Sequence, residues 1–178
     1  MELNGIVLSP DPRLKTECAP IEEITPEIRE LAESMKQTMF EDGGVGLAAP
    51  QVGALVQMVL VDTEYSSAED YDPYVLINPV IVEKSDTMQT SCEGCLSIPG
   101  ITVEIARPDH VVVEAYNLDG ELMVYEASND LFCVCLQHEI DHLHGITMFD
   151  HLAPAARARA LREYQEALAR GAKPGDTE

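Results

Sequence analysis

Basic residues are scarce in this chain: 11 Lys and Arg stand against 32 Asp and Glu, a formal net charge of −21 over 178 residues. A nucleic-acid binder needs a cationic footprint, so a general DNA or RNA binder is excluded and no specific DNA partner is expected. No apolar run approaches the ~18–20 residues that would span a bilayer, which excludes a helical integral membrane protein. The opening MELNGIVLSPDPRL has no basic segment, no long apolar stretch and no small-residue cleavage site. No secretory signal is therefore expected, and the expected compartment is the cytoplasm. The five cysteines are an odd number, so a disulfide framework is not expected, and reduced thiols point first to metal or catalytic roles. Internal repeats, low-complexity tracts and dividing linkers are missing as well.

What remains suits one globular domain, expected over residues 1–178, since 46% of residues are apolar and 24% charged and the chain is long enough to bury a sizeable core. Residues 26–40 read as a helix with Thr25 as N-cap and Pro26 in its first position, and Ile28, Leu31, Met35 and Met39 recur at helical spacing. QMVLVD reads as a short buried strand, and VLINPVIVE, GITVEIA and HVVVEAYNL read as strands by their β-branched residues and alternation, the last joined to ELMVYEA by a hairpin turn at 117–120. A second helix, DLFCVCLQHEIDHLHG, is expected to be capped by Ser128 or Asn129 and stopped by Gly145. A third helix is expected over 154–170, followed by a flexible tail over 171–178. Strands clustered in the middle with helices apart predict an α+β fold: mostly antiparallel sheets packed around the second helix, with an N-terminal and a C-terminal helix.

The strongest chemical signal lies on that second helix, in His138-Glu139-Ile140-Asp141-His142. At 3.6 residues per turn the two histidines stand about 40° apart on one face, so both imidazoles can grip one ion. Glu139 flanks them, where a carboxylate can take a proton from an activated water. Two histidines need a third protein ligand, with one position left for water. A histidine after Gly145 fails, because Met148 occupies that place. Glu163 or Glu166 on the last helix remain, as does the thiolate of Cys95. A four-cysteine zinc site is disfavoured, since Cys133 and Cys135 lie about 200° apart around their helix.

Three segments resemble the signatures of the peptide deformylases, in that family's order: Gly44-Val45-Gly46-Leu47-Ala48-Ala49-Pro50-Gln51, then Glu93-Gly94-Cys95-Leu96-Ser97, then QHEIDHLHG at 137–145. SPDPRL, LINP, SIPG and the closing helix extend the similarity from about Ile6 to Arg170. The resemblance implies a divalent metal held by Cys95, His138 and His142, with iron(II) native and zinc, nickel or cobalt able to replace it. It implies Glu139 as general base and then acid, and an oxyanion held by the side-chain amide of Gln51 and the backbone N–H of Leu96. The implied reaction removes the formyl group from the N-terminal formyl-methionine of newly made polypeptides and releases formate.

Substrate contacts are expected from Gly44, Gly46 and Gly94, whose missing side chains let an extended peptide pair as an added strand. Val45, Leu131, Val134 and Cys135 are expected to line the methionine pocket. The last helix concentrates positive charge: Arg157, Arg159, Arg162, Arg170 and Lys173 accompany two acidic residues, Glu163 and Glu166, over 154–173. Such a helix suits the ribosome as a partner through RNA phosphates. Two alternatives stand beside this expectation: a general metallopeptidase with Glu163 or Glu166 as third ligand, and a non-catalytic module that docks on ribosomes.

Overall fold

The computed structural model describes residues 5–177; residues 1–4 and residue 178, which fall in the expected domain and tail, lie outside the described residues. Its elements run α1 (Pro26–Glu41), β1 (Gly46–Ala48), β2 (Met58–Val61), β3 (Tyr74–Lys84), β4 (Met88–Cys95), β5 (Ile98–Pro108), β6 (His110–Tyr116), β7 (Leu122–Ser128), α2 (Leu131–Leu143) and α3 (Pro154–Ala169). Five strands form an antiparallel sheet in the order β1-β2-β3-β6-β7, and β4 and β5 form a separate antiparallel ribbon. The fold is α+β, as expected. No helix among the described residues is long and apolar enough to cross a membrane.

The sheet is covered on both faces near β2, which explains why that strand is apolar without alternation. Val59 and Val61 point into one core with Leu136, Ile140 and Leu143 of α2. Met58 and Leu60 point the other way, into a core with Leu31, Met35 and Met39 of α1. A third core joins Ile98, Ile101, Val103 and Ile105 of β5 to Ala160, Tyr164 and Ala167 of α3. The ribbon is thus held by α3, and α2 is enclosed between sheet and ribbon.

Helix starts follow side-chain chemistry. The Thr25 hydroxyl accepts a hydrogen bond from the Ile28 N–H at 3.4 Å, and Pro26 takes the first position of α1. For α2 the cap differs from expectation. Asp130 accepts from the Cys133 N–H at 2.7 Å, while Ser128 ends β7 and Asn129 turns the chain at a φ of 52°. A left-handed residue must separate this strand from this helix, and Asn tolerates that conformation better than most residues. The strands β1 and β4 have no counterpart among the expected ones. In β4, MQTSCEGC, the pattern is polar, and its apolar partner face comes from β5.

The closing residues, expected as a flexible tail, take a defined course in the structure. Beyond α3 the Ala172 N–H donates to the Ala167 carbonyl at 3.0 Å, and the Gly100 N–H of β5 donates to the Asp176 carbonyl at 2.8 Å. Between them the Asp176 carboxylate accepts from the Lys173 N–H at 2.8 Å, closing a turn through Pro174 and Gly175. Local hydrogen bonding of this kind defines a path that composition does not reveal.

The cap on α2 is testable. Asp130→Ala removes the acceptor for a helix N-terminus and is expected to cost about 1 kcal/mol of stability, read as a lower urea midpoint at unchanged m-value.

Candidate active site

His138 and His142 project from one face of α2, with ring centroids 5.0 Å apart. The β4–β5 hairpin brings the third group: Cys95 and Ile98 pair across its tight turn, and the Cys95 sulfur lies 3.4 Å from His142 Nε2. Ligand atoms of Cys95, His138 and His142 all fall within 4.8 Å of one another, and no other group of three or more His, Cys, Asp or Glu among the described residues is arranged to hold an ion. Glu163 and Glu166 are exposed on α3 beside Gly100–Thr102. A glutamate as third ligand, the premise of the general metallopeptidase alternative, is therefore overturned by position.

The site's electrostatics fit a cation. Burial lowers the pKa of His138, but Cys95 on one side and Glu93 on the other outweigh it and hold the ring well above its ordinary value. A divalent ion would supply positive charge at this position, with the Glu93 carboxylate behind the ring. Burial and then the neighbouring His138 hold His142 well below its usual range, leaving a neutral imidazole with a lone pair to donate. A thiolate with two imidazoles is a donor set for zinc or another late divalent metal.

Behind the cradle lies a chain of buried charges that sequence reasoning missed. His138 Nδ1 meets Glu93 Oε1 at 2.8 Å, which turns its other nitrogen toward Cys95. Arg107 donates to both oxygens of Glu93, at 2.6 and 2.9 Å, and to Asp141 at 2.9 Å. Asp141 in turn meets His151 Nε2 at 2.7 Å. Burial alone raises the Glu93 carboxyl, yet the bonds from His138 and Arg107 leave it below its usual range. Nothing in the order of residues joins Glu93 to Arg107, fourteen positions later on the partner strand. Cys92, one residue out of step with Glu93 and Cys95, is exposed.

Glu139 stands beside the cradle, fully enclosed. Burial pushes its carboxyl up to about 7, and its Oε2 has no hydrogen-bond partner among the described residues. Its neighbour explains one glycine. A Cβ on Gly46 would run into the Glu139 carboxylate and stand 2.6 Å from the Cys135 sulfur. Gly46 therefore makes room for Glu139, a reason separate from the approach of a peptide. A Cβ on Gly44 would stand 2.7 Å from Leu96 Cδ1, so a side chain there would push on the Leu96 side chain at the hairpin.

Gln51 is held in a single orientation. It lies in a short 3-10 turn, Ala49–Val52, where its Oε1 accepts from the Ala48 N–H at 2.8 Å. Its amide nitrogen consequently faces Ser97 Oγ at 3.2 Å and Cys95 Sγ at 3.5 Å. Above these groups opens a cleft of about 280 Å³, with His138 and Glu139 on its floor and all seven residues expected to contact substrate along its walls. Leu131 is at the mouth, 53% exposed. Gly175, Asp176 and Thr177 also border the mouth, and no signal in their composition announced it.

The charge chain generates a stability prediction. Arg107→Leu takes both guanidinium bonds from the buried Glu93 carboxylate and one from the half-buried Asp141, so a loss of about 3–5 kcal/mol is expected, measured by chemical denaturation of the metal-loaded protein. A parallel loss of metal content is expected, because His138 loses its oriented partner.

Residues 3–158 match the family model described as Polypeptide deformylase. A peptide deformylase of Acinetobacter baumannii (strain SDF) is 44% identical over 170 residues, covering 96% of this chain and 94% of the relative. One from Rhodopseudomonas palustris (strain TIE-1) is 41% identical over 174 residues, covering 97% and 99%. The crystal structure of a peptide deformylase from Legionella pneumophila superposes with a TM-score of 0.87 at 32% identity, covering 95% of this chain and 97% of that one. Similarity of this depth runs through the thiolate hairpin and the histidine helix together, and on it the chain belongs to the peptide deformylase family.

Proposed function

We propose that the cleft removes the formyl group from N-terminal formyl-methionine through Glu139, Gln51 and Leu96, around an ion held by Cys95, His138 and His142. The convergence of these three ligands beside an unpartnered Glu139 oxygen is the observation that carries the proposal. The ion, when bound, supplies Lewis acidity and lowers the pKa of a water in the open position. Iron(II) is the proposed native metal, with zinc, nickel or cobalt as substitutes.

Each residue then has a defined task. Glu139 takes a proton from the attacking water as that water's oxygen bonds to the formyl carbon. The developing oxyanion accepts from the Gln51 amide, whose donor edge already faces Cys95, and from the Leu96 N–H at the hairpin turn. Glu139 next passes the proton to the amine nitrogen as the C–N bond breaks, leaving formate and a free α-amino group. A group near neutrality suits both transfers, since it can accept and return a proton in one cycle.

Val45, Leu131 and Val134 form the proposed methionine pocket, and Gly94 gives a peptide main chain access along β4. Recognition through main chain and one side chain accommodates many different polypeptides, so formyl-methionyl nascent chains are the proposed substrates and the cytoplasm the proposed compartment. The ribosome is the proposed docking partner of α3. One face of that helix is committed to the core through Ala160, Tyr164 and Ala167, while Arg157, Arg159 and Arg162 are exposed. Two of these arginines have acidic neighbours at 3.6 and 3.8 Å, Asp150 and Glu163, in loose exposed pairs worth little.

Anaerobically purified protein is expected to carry iron(II) and to release formate from formyl-Met-Ala-Ser. Glu139→Ala is expected to keep its metal but lose about 10²–10⁴-fold in kcat, whereas Cys95→Ala is expected to lose the metal itself. Undiminished turnover in Glu139→Ala, or full metal content in Cys95→Ala, would overturn these assignments. Charge reversal at Arg157, Arg159 and Arg162 is expected to weaken ribosome co-sedimentation at low salt while sparing hydrolysis of the tripeptide. Co-sedimentation equal to that of the parent chain would remove the docking role.

A further inference from the structure

The segment after α3 crosses the entrance of the cleft. On one side the Asp176 carbonyl accepts from the Gly100 N–H of β5 at 2.8 Å. On the other, Gly175 sits directly against the Asp42 carbonyl, in the turn that leads from α1 to Gly44, so closely that a Cβ there has no room. Just beyond these anchors the Thr177 methyl lies 3.6 Å from where a Cβ on Gly94 would stand, with the Thr102 methyl at 3.8 Å. The segment thus reaches from Asp42, next to the wall formed by 43–46, to Gly94 on the wall formed by 92–96, and it borders the same cavity as His138 and Glu139.

We propose that residues 173–177 are a specificity-determining strap, an internal competitor for the part of the cleft that receives the substrate residues after formyl-methionine. The inference rests on the deformylase reading of the cleft, and extends it to substrate length. A peptide whose methionine fills the pocket must continue outward between the Gly44–Gly46 and Gly94 walls. The Thr177 methyl lies over Gly94 on one of these walls. Longer peptides must displace the strap, whereas a formylated methionine derivative ending within the pocket leaves it in place.

The strap is built to open cheaply. Residues 175–177 are exposed, and residues 173–177 bury no large apolar side chain. Only a few backbone hydrogen bonds hold the segment, and such segments belong to the low-stability end of a protein's opening spectrum. A closed fraction reduces apparent affinity for any ligand that needs the open form, in proportion to the open population. The strap lies beyond residues 3–158, which the family model matches.

The test compares formyl-Met amide with a formyl-Met hexapeptide on the metal-loaded chain, for the parent, a chain ending at Ala172, and Gly175→Val. In the last variant a β-branched residue is forced onto a φ of 95° against the Asp42 carbonyl, which evicts the strap without shortening the chain. Both variants are expected to lower KM for the hexapeptide by about threefold or more, at unchanged kcat and with unchanged kinetics on formyl-Met amide. Hydrogen exchange at the Gly100 amide reads the strap without turnover and is expected to speed up in both. An unaltered hexapeptide KM in Gly175→Val with faster Gly100 exchange overturns the proposal, and so does a raised KM, which would make the segment part of the substrate site. Parent protein inactive on formyl-Met amide would instead refute the deformylase reading, while Gly100 exchange would still report whether the strap exists.

Discussion

The guanidinium of Arg107 joins the three segments that the metal cradle needs. It leaves β5, grips Glu93 on β4 with two hydrogen bonds and reaches Asp141 on α2. Glu93 then holds His138, so ribbon and helix are locked at a distance that lets a thiolate on one meet two imidazoles on the other. Buried charges of this kind are poor sources of net stability, because desolvation consumes most of the Coulombic gain. Their value here is positional: both Glu93 oxygens and the Asp141 Oδ2 face donors, which holds ribbon and helix in register.

That lock constrains the rest of the site. α2 must bury both its histidine-bearing face and its opposite face, which accounts for the small, apolar Cys133 and Cys135 in its first turns, pressed against the sheet core. Once α2 lies so close to β1, no side chain fits at Gly46, and the freed volume goes to Glu139. The enclosure that results is also what brings the carboxyl of Glu139 toward neutrality. Packing, and the proton chemistry proposed for this residue, are consequences of the same close approach.

Much of this was legible in the order of residues. Thr25-Pro26 states a helix start through its own chemistry, and β2 announces burial on two faces by an unbroken MVLV. His138 and His142 need only helical periodicity to share a face, and the Glu93-Gly94-Cys95 segment stands out through its family pattern. Other features left no local trace. β4 is polar and becomes a strand because β5 pairs with it and α3 holds that pair from outside. Asp130 rather than Ser128 or Asn129 caps α2, since the left-handed turn at Asn129 sets where the helix can begin. Glu163 and Glu166 carry suitable ligand chemistry, and the face of α3 that packs on β5 turns them away from the cradle.

The sequence by itself determined which side chains could do chemistry, because ligand type, helical spacing and capping preference are properties of a few adjacent residues. It also determined the separation of the elements into strands and helices wherever apolar periodicity was strong. Tertiary structure alone decided that Cys95, and neither Glu163 nor Glu166, stands against the two histidines, which glycine yields space to the carboxylate, and that residues 173–177 lie across the cleft. Those outcomes depend on contacts between segments far apart in the chain, where the pairing is chosen by shared burial and by satisfaction of charge rather than by any local preference.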